Sequence, residues 1–598
     1  MPQDPEGPRF RFLPPVGSWK FHLLLSAVAI FILGPLGGVA SAYMNFSLGF
    51  FVGGQVLAGI LGSAVTYGYG PEGKHGANYM QTMAASVASL CAMSALIQAM
   101  VWLGMPMPET WKLMLFMACI GMFGVGVGML YTPLLVDKLQ LEYPSGYAVA
   151  NILRALTDKR LLKVSIAKLG GGTGLGAAVA WLTEHVEAVA RLATSASTFG
   201  AGMVVGSRVT VPAILGGLAG LGLAPYLREI GWLGPNDPFR KTGFLIALAM
   251  ICGAALVDIS LLAVKAVARI RARAGAAEVD TEPAWKKVNV PRLIAWVGFW
   301  GAAVVVVATQ VLDQPIGFVL FGLGLSLLFV LINGISLGIT DQNPISSAFV
   351  ISVLLMSLLG LTEPLVGMMV SSILLVATAV GCDMQQDRST GWRLGTNRLL
   401  QFRYQVIGIL MGAVLCVGLA KLFMTAYPVL TVNLFDNPEA KQGQWSSAMT
   451  YKLVGAVKDI GHLSGYKVKA ILIGLSIGFV IEVLRKVVRG NARYQRYVQG
   501  SRKGFVLGWT MDAVVLASPY ATSFGGFVDL PVSLWFGAGG ILTSVWNTMG
   551  ARAAAPKEGS TELPSDMSTT SLIGGGLIAG ESLYFLIVGI IGLLALLG

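Results

Sequence analysis

The chain has 598 residues, of which 55% are hydrophobic and 12% are charged, and its formal charge is +12 at pH 7. A soluble domain carries about 25% charged residues, so this composition argues against a water-soluble globular protein and requires much of the surface to face lipid. The basic residues lie in short loops between apolar segments, which argues against nucleic-acid binding and indicates cytoplasmic loops.

A spanning helix needs about 20 mostly apolar residues, and on that basis we expect an all-α polytopic membrane protein with about 16 (14–17) transmembrane helices. The first span, 21–43, ends in a sequence that mimics a signal-peptidase site, but its length favours a retained helix. The further predicted spans are 46–67, 78–103, 113–136, 162–182, 242–264, 291–311, 316–338, 345–360, 364–382, 404–425, 468–488, 504–518, 525–547 and 571–597.

Two segments predict broken or re-entrant helices. Residues 145–156 follow Pro144 and are typical of a half-helix. Residues 198–227 are too long for one span, and we expect Pro212 to divide them into two short helices or a re-entrant hairpin that enters and leaves on the same face.

The distribution of Lys and Arg predicts four regions. We expect a cytoplasmic tail at 1–20, a first transmembrane half at 21–264, a basic cytoplasmic loop at 265–290 and a second transmembrane half at 291–598. The same rule places on the cytoplasmic side the loops 137–163, 383–403 and 485–503, and on the outside the loops 183–190 and 426–467.

The residue types that bind metals and nucleotides form no local motif. The chain has 5 cysteines and 4 histidines, none of them spaced as a zinc site or a disulfide framework. The glycine-rich run 170–176 lacks the Lys of a P-loop and lies in an apolar span, so we interpret it as tight helix packing or a helix break. We therefore expect no metal site, no cofactor and no ATP-driven transport by this chain alone.

The first polar cluster inside an apolar span begins at Asn78. Asn78, Gln81 and Thr82 lie at i, i+3 and i+4, so all three side chains share one helix face. Hydrogen bonding between helices is the structural alternative to a binding role.

The second cluster is the sequence 340–344, which interrupts two apolar segments. Pro344 lacks an N–H group and disfavours helix at Asn343, so we expect a helix break at Asp341–Asn343, between two apolar spans. Such breaks are where secondary transporters bind solutes or ions, although a simple connecting turn is also compatible.

The third cluster predicts a helix face with two carboxylates. Asp383, Gln386 and Asp387 share that face, and we expect Gly391 to end the helix. Carboxylates at i and i+4 repel unless they share a cation or proton. The alternative is a cytoplasmic helix end with Arg388 as counter-ion.

The fourth cluster is Glu581, which lies deep in the last predicted span. A carboxylate there should face the protein interior, where it can bind a proton or pair with a structural partner.

Four stretches of this sequence carry a resemblance to a known family. They are Asn78-Tyr-Met-Gln81, Tyr143-Pro-Ser-Gly146 with Ala148-Val-Ala-Asn151, Asp383 to Gly391, and Gly580-Glu-Ser582. In this order they resemble the oligopeptide transporter family, which includes the yellow stripe-like carriers of metal chelates. The third stretch is the most specific, because the family pattern there combines acidic residues, Met-Gln, a basic residue and Thr-Gly.

The resemblance implies an internally duplicated helical unit and secondary transport, usually coupled to protons. The implied solutes are oligopeptides, modified peptides or peptide-like metal chelates. Where the family often continues with Ser-Pro-Arg, this chain has Gly395-Thr-Asn-Arg398 and keeps only the Arg, which leaves the substrate open.

We therefore expect a prokaryotic importer in the bacterial inner membrane that moves a small peptide-like solute together with protons. Substrate would contact Asn78, Gln81, Tyr143, Asp383 and Gln386, while coupling or gating would involve Asp341, Asn343, Asp387 and Glu581. A passive channel is the alternative. An intramembrane enzyme is disfavoured, because no nucleophile lies with a base in the spans. Association of identical chains stays open.

Overall fold

The computed structural model describes residues 13–48, 55–157, 159–192, 194–235, 237–273, 283–341, 343–433, 436–437, 447–458, 460, 465–553 and 568–594. Within these ranges the chain is α-helical and contains no β-strand. This agrees with the predicted all-α class, because a chain in hydrocarbon must satisfy its backbone polar groups within each helix.

The helices of the first half are α1 (Trp19–Val28), α2 (Gly34–Leu48), α3 (Gln55–Thr66), α4 (Gly73–Ala92), α5 (Ser94–Trp102), α6 (Thr110–Thr132), α7 (Pro144–Thr157), α8 (Lys159–His185), α9 (Glu187–Ala190), α10 (Ala196–Val205), α11 (Ser207–Glu229) and α12 (Arg240–Arg273).

The second half continues with α13 (Val290–Val306), α14 (Ile316–Thr340), α15 (Ile345–Leu358), α16 (Pro364–Leu394), α17 (Arg398–Ala426), α18 (Ala448–Lys458), α19 (Gly465–Gly490), α20 (Ala492–Gly500), α21 (Arg502–Thr510), α22 (Pro519–Thr522), α23 (Phe524–Phe527), α24 (Leu530–Ala553) and α25 (Thr569–Leu594).

Within the described residues, 9 helical segments are long and apolar enough to cross a membrane by length and composition. They are Trp19–Phe46, Ala58–Trp102, Thr110–Lys138, Ser207–Glu229, Arg240–Asp258, Ala284–Val311, Ile316–Thr340, Pro364–Leu394 and Arg398–Ala426. The protein is therefore a multi-pass membrane protein, while the total of about 16 spans stays a prediction.

The break in the 198–227 segment differs from the predicted one. Pro212 lies inside α11, and the chain breaks earlier, at Gly206 between α10 and α11. Gly206 has φ 78°, a backbone conformation that glycine adopts without the steric cost that a Cβ would add. The expectation of a division at Pro212 was wrong, and α11 alone is long enough to span.

The predicted loop at 383–403 is also wrong. α16 is one helix of 31 residues that runs through this region, and the connection to α17 is only Gly395–Asn397. Gly391 does not end α16, which instead ends at Gly395 with φ 70°. Asn397 then caps α17 by accepting hydrogen bonds from the Leu399 and Leu400 N–H groups. Residues 383–394 are therefore buried helix.

α16 and the segment containing α4 form the centre of the bundle. Their most apolar windows are each 94% buried, whereas the window of Ala284–Val311, which contains α13, is only 17% buried. α16 packs against α4, α6, α7, α14 and α15, and α4 also packs against α2, α3 and α17. Polar side chains on α4 and α16 consequently meet other helices rather than lipid.

The glycine run 170–176 packs α8 closely against α25, as its interpretation as a packing motif predicted. A Cβ added at Gly176 would lie 2.4 Å from the Leu577 carbonyl oxygen, and one at Gly172 would lie 2.7 Å from that of Ile573. Gly174 is on the opposite, exposed face and has nothing within 4 Å of its Cβ position. Small residues on one face thus permit backbone contact between the two helices.

We expect Gly176→Val to destabilise the protein, because its side chain would collide with the α25 backbone. Overpacking of this kind costs about 1–3 kcal/mol. The measurement is thermal stability and monodispersity in detergent. Gly174→Val is the matched control, since it has the same change in helix propensity without the collision. Equal behaviour of the two variants would contradict the close α8–α25 contact.

Candidate functional site

The largest concentration of buried polar side chains lies where α4, α7, α16, α17 and the α14–α15 break meet. We call this region the polar junction and define it by Asn78, Gln81, Thr82, Tyr143, Ser145, Asp341, Asn343, Asp383, Gln386, Asp387, Arg388, Gln401 and Gln405. The region lies toward one end of α16, because Asp387 is seven residues before Leu394, or roughly 10 Å along a helix.

α4 and α16 are joined by a hydrogen bond between predicted site residues. Gln81 Nε2 donates to Asp387 Oδ1 at 2.7 Å, and both side chains are buried. From α17, Gln401 Nε2 donates to the Asp387 carbonyl oxygen at 3.1 Å and to Thr82 Oγ1 at 3.3 Å. The predicted polar face of α4 is therefore confirmed at Gln81 and Thr82, which both face α16 and α17.

Asn78 and Asp383 extend this polar face in opposite directions. Asn78 is fully buried, and neither its amide nitrogen nor its amide oxygen has a hydrogen-bond partner in the described part of the chain. Asp383 lies beside Ser89 of α4, one turn before Asp387. The two carboxylates thus both face α4, as their spacing predicted.

The break after α14 brings Asp341 to the junction. Asp341 has φ 61° and ends α14, and its carboxylate accepts hydrogen bonds from the Ser145 N–H group at 3.0 Å and from Gln386 Nε2 at 3.2 Å. Ser145 Oγ also donates to it, at 2.5 Å. Asp341 therefore stabilises the start of α7, which begins at Pro144 as predicted, and links it to α16.

Tyr143 and Asn343 hold the backbone near this break. Tyr143 has φ 47°, and its N–H group donates to the Gly338 carbonyl oxygen at 2.9 Å. The Tyr143 hydroxyl donates to the Gly334 carbonyl oxygen at 3.2 Å. Asn343 Oδ1 accepts from Asn333 Nδ2 at 3.1 Å. In this conformation the Tyr143 hydroxyl is already hydrogen-bonded to the protein backbone.

Arg388 is a junction residue that the sequence reasoning assigned to a cytoplasmic helix end. It is the largest of the side chains with less than 2% exposure. Nη2 donates to Gln405 Oε1 of α17 at 3.1 Å. No local signal in the sequence indicated this, because 383–394 is rich in polar and charged residues and is typical of the end of a span.

Ionic and polar contacts close the junction at the α16–α17 connection. Arg398 forms a bidentate ion pair with Asp137, at 2.9 Å and 2.7 Å. Arg393 pairs with Glu142 at 3.2 Å and lies 4.2 Å from the Tyr147 ring centroid. These contacts fasten the end of α16 to the segment before α7.

Glu581 lies away from the junction, between α25 and α10. Its carboxylate accepts hydrogen bonds from the Ser195 hydroxyl at 3.0 Å and from the Ser197 N–H group at 2.8 Å. These contacts place a carboxylate at the start of α10, where the helix dipole favours negative charge. The structure thus brings the other predicted site residues together and leaves Glu581 at a separate helix joint.

Several buried polar atoms of the junction have no hydrogen-bond partner in the described part of the chain: Asn78 Nδ2 and Oδ1, Gln81 Oε1, Asp387 Oδ2, Arg388 Nε and Nη1, and Gln405 Nε2. Such atoms are rare in proteins because burying them unpaired costs about 1–3 kcal/mol each. The set contains donors, acceptors and both signs of charge, so it can bind a polar solute. No group of three potential metal ligands among His, Cys, Asp and Glu occurs in the described residues.

Comparison with known proteins relates the chain to one family. A family model described as OPT oligopeptide transporter protein matches residues 21–591. A separate search of curated proteins found no match. Because the match extends over nearly the whole sequence and the apolar helices are those of a multi-pass membrane protein, the chain belongs to the OPT oligopeptide transporter family.

Proposed function

We propose that the protein is a proton-coupled secondary transporter that imports peptide-like solutes through the polar junction. The solutes would be oligopeptides, modified peptides or peptide-like metal chelates, and the membrane would be the bacterial inner membrane. The observation that carries the proposal is the cluster of unpaired polar atoms around Asp387 and Arg388, buried between the two most enclosed helices. Family membership supports transport as the activity.

The carboxylates of α16 are the natural site of proton coupling. Asp383 and Asp387 are one turn apart in a low-dielectric interior, where two negative charges repel and each is costly to bury. Asp387 Oδ1 accepts a hydrogen bond from Gln81, while Asp387 Oδ2 has no partner in the described part of the chain. A proton bound to one of the two aspartates would remove this repulsion. A positive charge on the solute would later take the place of the proton. Proton binding and solute binding would then be linked through the same pair.

Gating would occur at the α14–α15 break. Asp341 connects the end of α14 to α7 and α16 through Ser145 and Gln386. A change in the hydrogen bonds of α16 would therefore be transmitted to two helix ends whose backbone is already interrupted. Broken helices near a binding site are the usual hinges of secondary transporters.

The ion pair between Arg398 and Asp137 supports a proposal for how the solute is released. If the basic loops face the cytoplasm, this pair closes the junction on the cytoplasmic side. Release of the solute into the cell would then require the pair to separate. Removing one partner of a buried pair costs about 3–5 kcal/mol, so opening would need the free energy supplied by solute and proton binding.

We expect Asp387→Asn to abolish proton-driven accumulation, because asparagine keeps the acceptor for Gln81 but cannot carry the proton. In proteoliposomes with an acidic exterior, the accumulation of a labelled di- to tetrapeptide should fall at least tenfold. Peptide exchange without a gradient should persist.

Asp313→Asn is the control for this experiment, since Asp313 is an exposed residue between α13 and α14 with φ 54° and asparagine tolerates that backbone conformation. Full accumulation by Asp387→Asn would exclude Asp387 as the coupling site. Uptake by the wild type that neither saturates nor exceeds equilibrium would favour a channel instead.

We expect Glu581→Gln to slow uptake severalfold while the dependence on the pH gradient remains. Glutamine can replace only one of the two acceptors that hold Ser195 and Ser197, so the α10–α25 joint should loosen. Initial uptake rates over a range of external pH measure both effects. Glu187→Gln, in the exposed helix α9, is the control. Loss of the gradient dependence would instead assign the coupling proton to Glu581.

A further inference from the structure

Arg388 is a buried cation that forms no ion pair in the described part of the chain, although the carboxylate of the adjacent Asp387 interacts with it electrostatically. Its side chain is 1% exposed, and its hydrogen bond goes to the neutral side-chain oxygen of Gln405. Nε and Nη1 have no acceptor in the described part of the chain. An unpaired charge in a protein interior costs several kcal/mol, so a purely structural arginine would be expected to have a carboxylate partner.

The other arginines near the end of α16 do have such partners. Arg398 is held by both oxygens of Asp137, and Arg393 pairs with Glu142. Carboxylates are therefore available in this part of the fold, and two arginines of the same region use them. Arg388 differs from both because its neighbour across the helix interface is an amide.

The unpaired atoms of Arg388 and Gln405 are all hydrogen-bond donors. Gln405 accepts from Arg388 through its side-chain oxygen, and its Nε2 group is a further donor. Nε2 of Gln405 and Nε and Nη1 of Arg388 have no acceptor in the described part of the chain. An arginine with neighbouring N–H donors is the arrangement that proteins use to bind a carboxylate.

The unpaired hydrogen-bond acceptors of the junction lie around Asp387. Asp387 Oδ2 and Gln81 Oε1 have no donor in the described part of the chain, and Asp383 precedes Asp387 by one turn. The junction is thus divided into an anion-binding part at Arg388 and Gln405 and a cation-binding part at the two aspartates.

We infer that Arg388, assisted by Gln405, binds a carboxylate group of the transported solute, and that the aspartates of α16 bind its amino group. The substrate class is therefore zwitterionic, with a free carboxylate as a required element. This inference rests on the proposed transport function and assigns the part of the same site that recognises the negative charge. Binding would pair the guanidinium with the charge that the protein lacks.

The test compares a peptide with and without its carboxylate. Proteoliposomes held at a clamped membrane potential are supplied with labelled tetraalanine or with its C-terminal amide. We expect the wild type to transport the acid at least tenfold faster than the amide. Arg388→Gln should abolish the preference for the acid, so that the acid-to-amide ratio of transport rates falls to about one. Arg388→Lys, which keeps the charge without the planar donor group, should give an intermediate preference.

Arg403→Gln is the matched control, because Arg403 lies on the exposed face of α17. Thermal stability and size-exclusion profiles check that the variants fold. If Arg388→Gln does not fold, the acid-to-amide ratio of Arg388→Lys decides instead.

The outcomes separate the two proposals. Equal rates for acid and amide in the wild type, or an unchanged preference in the folded Arg388 variants, would overturn the assignment of Arg388 while transport of peptides stands. Accumulation of neither peptide by the wild type would overturn the proposed peptide transport, and the carboxylate assignment would fall with it.

Discussion

Hydrocarbon offers no hydrogen bonds, so a polar side chain within the bundle must find its partner in the protein or in a bound molecule. The contact between Gln81 and Asp387 is the central case, because it joins the two most enclosed helices of the protein at 2.7 Å. Asp341 obeys the same constraint by ending α14 and stabilising the start of α7. The polar contacts therefore fix which helices are neighbours, and apolar packing fills the space between them.

Some buried polar groups of this fold are paired and others are not. Glu581 is paired with Ser195, and Arg398 with Asp137. At the junction, Asn78 and Arg388 keep buried atoms without partners. In our proposal, the first group holds the structure together and the second binds the solute. A transporter needs both, since a site that the protein satisfied completely would have no free energy to offer a substrate.

Local sequence patterns predicted some of these features correctly and others incorrectly. The spacing of Gln81 and Thr82 predicted their common helix face, and Pro344 predicted the interruption after Asp341. Pro212 suggested a helix break that a neighbouring glycine made instead. Charges at 383–403 suggested a loop, although α16 carries them into the bundle, because the surrounding helices supply partners such as Gln81 and Gln405 that no local rule contains.

The sequence by itself determined the membrane environment, the helical class and the faces of α4 and α16 that carry polar groups, because apolar length and a period of 3.6 residues are local properties. Tertiary structure alone decided which of these groups meet. Gln81 and Asp387 are 306 residues apart in the chain, and Arg388 became a candidate binding residue only when its hydrogen-bond partner proved to be the neutral amide of Gln405. Long-range packing selects partners from many equivalent polar residues, and the physical reason is that burial and pairing depend on the surrounding helices rather than on the adjoining sequence.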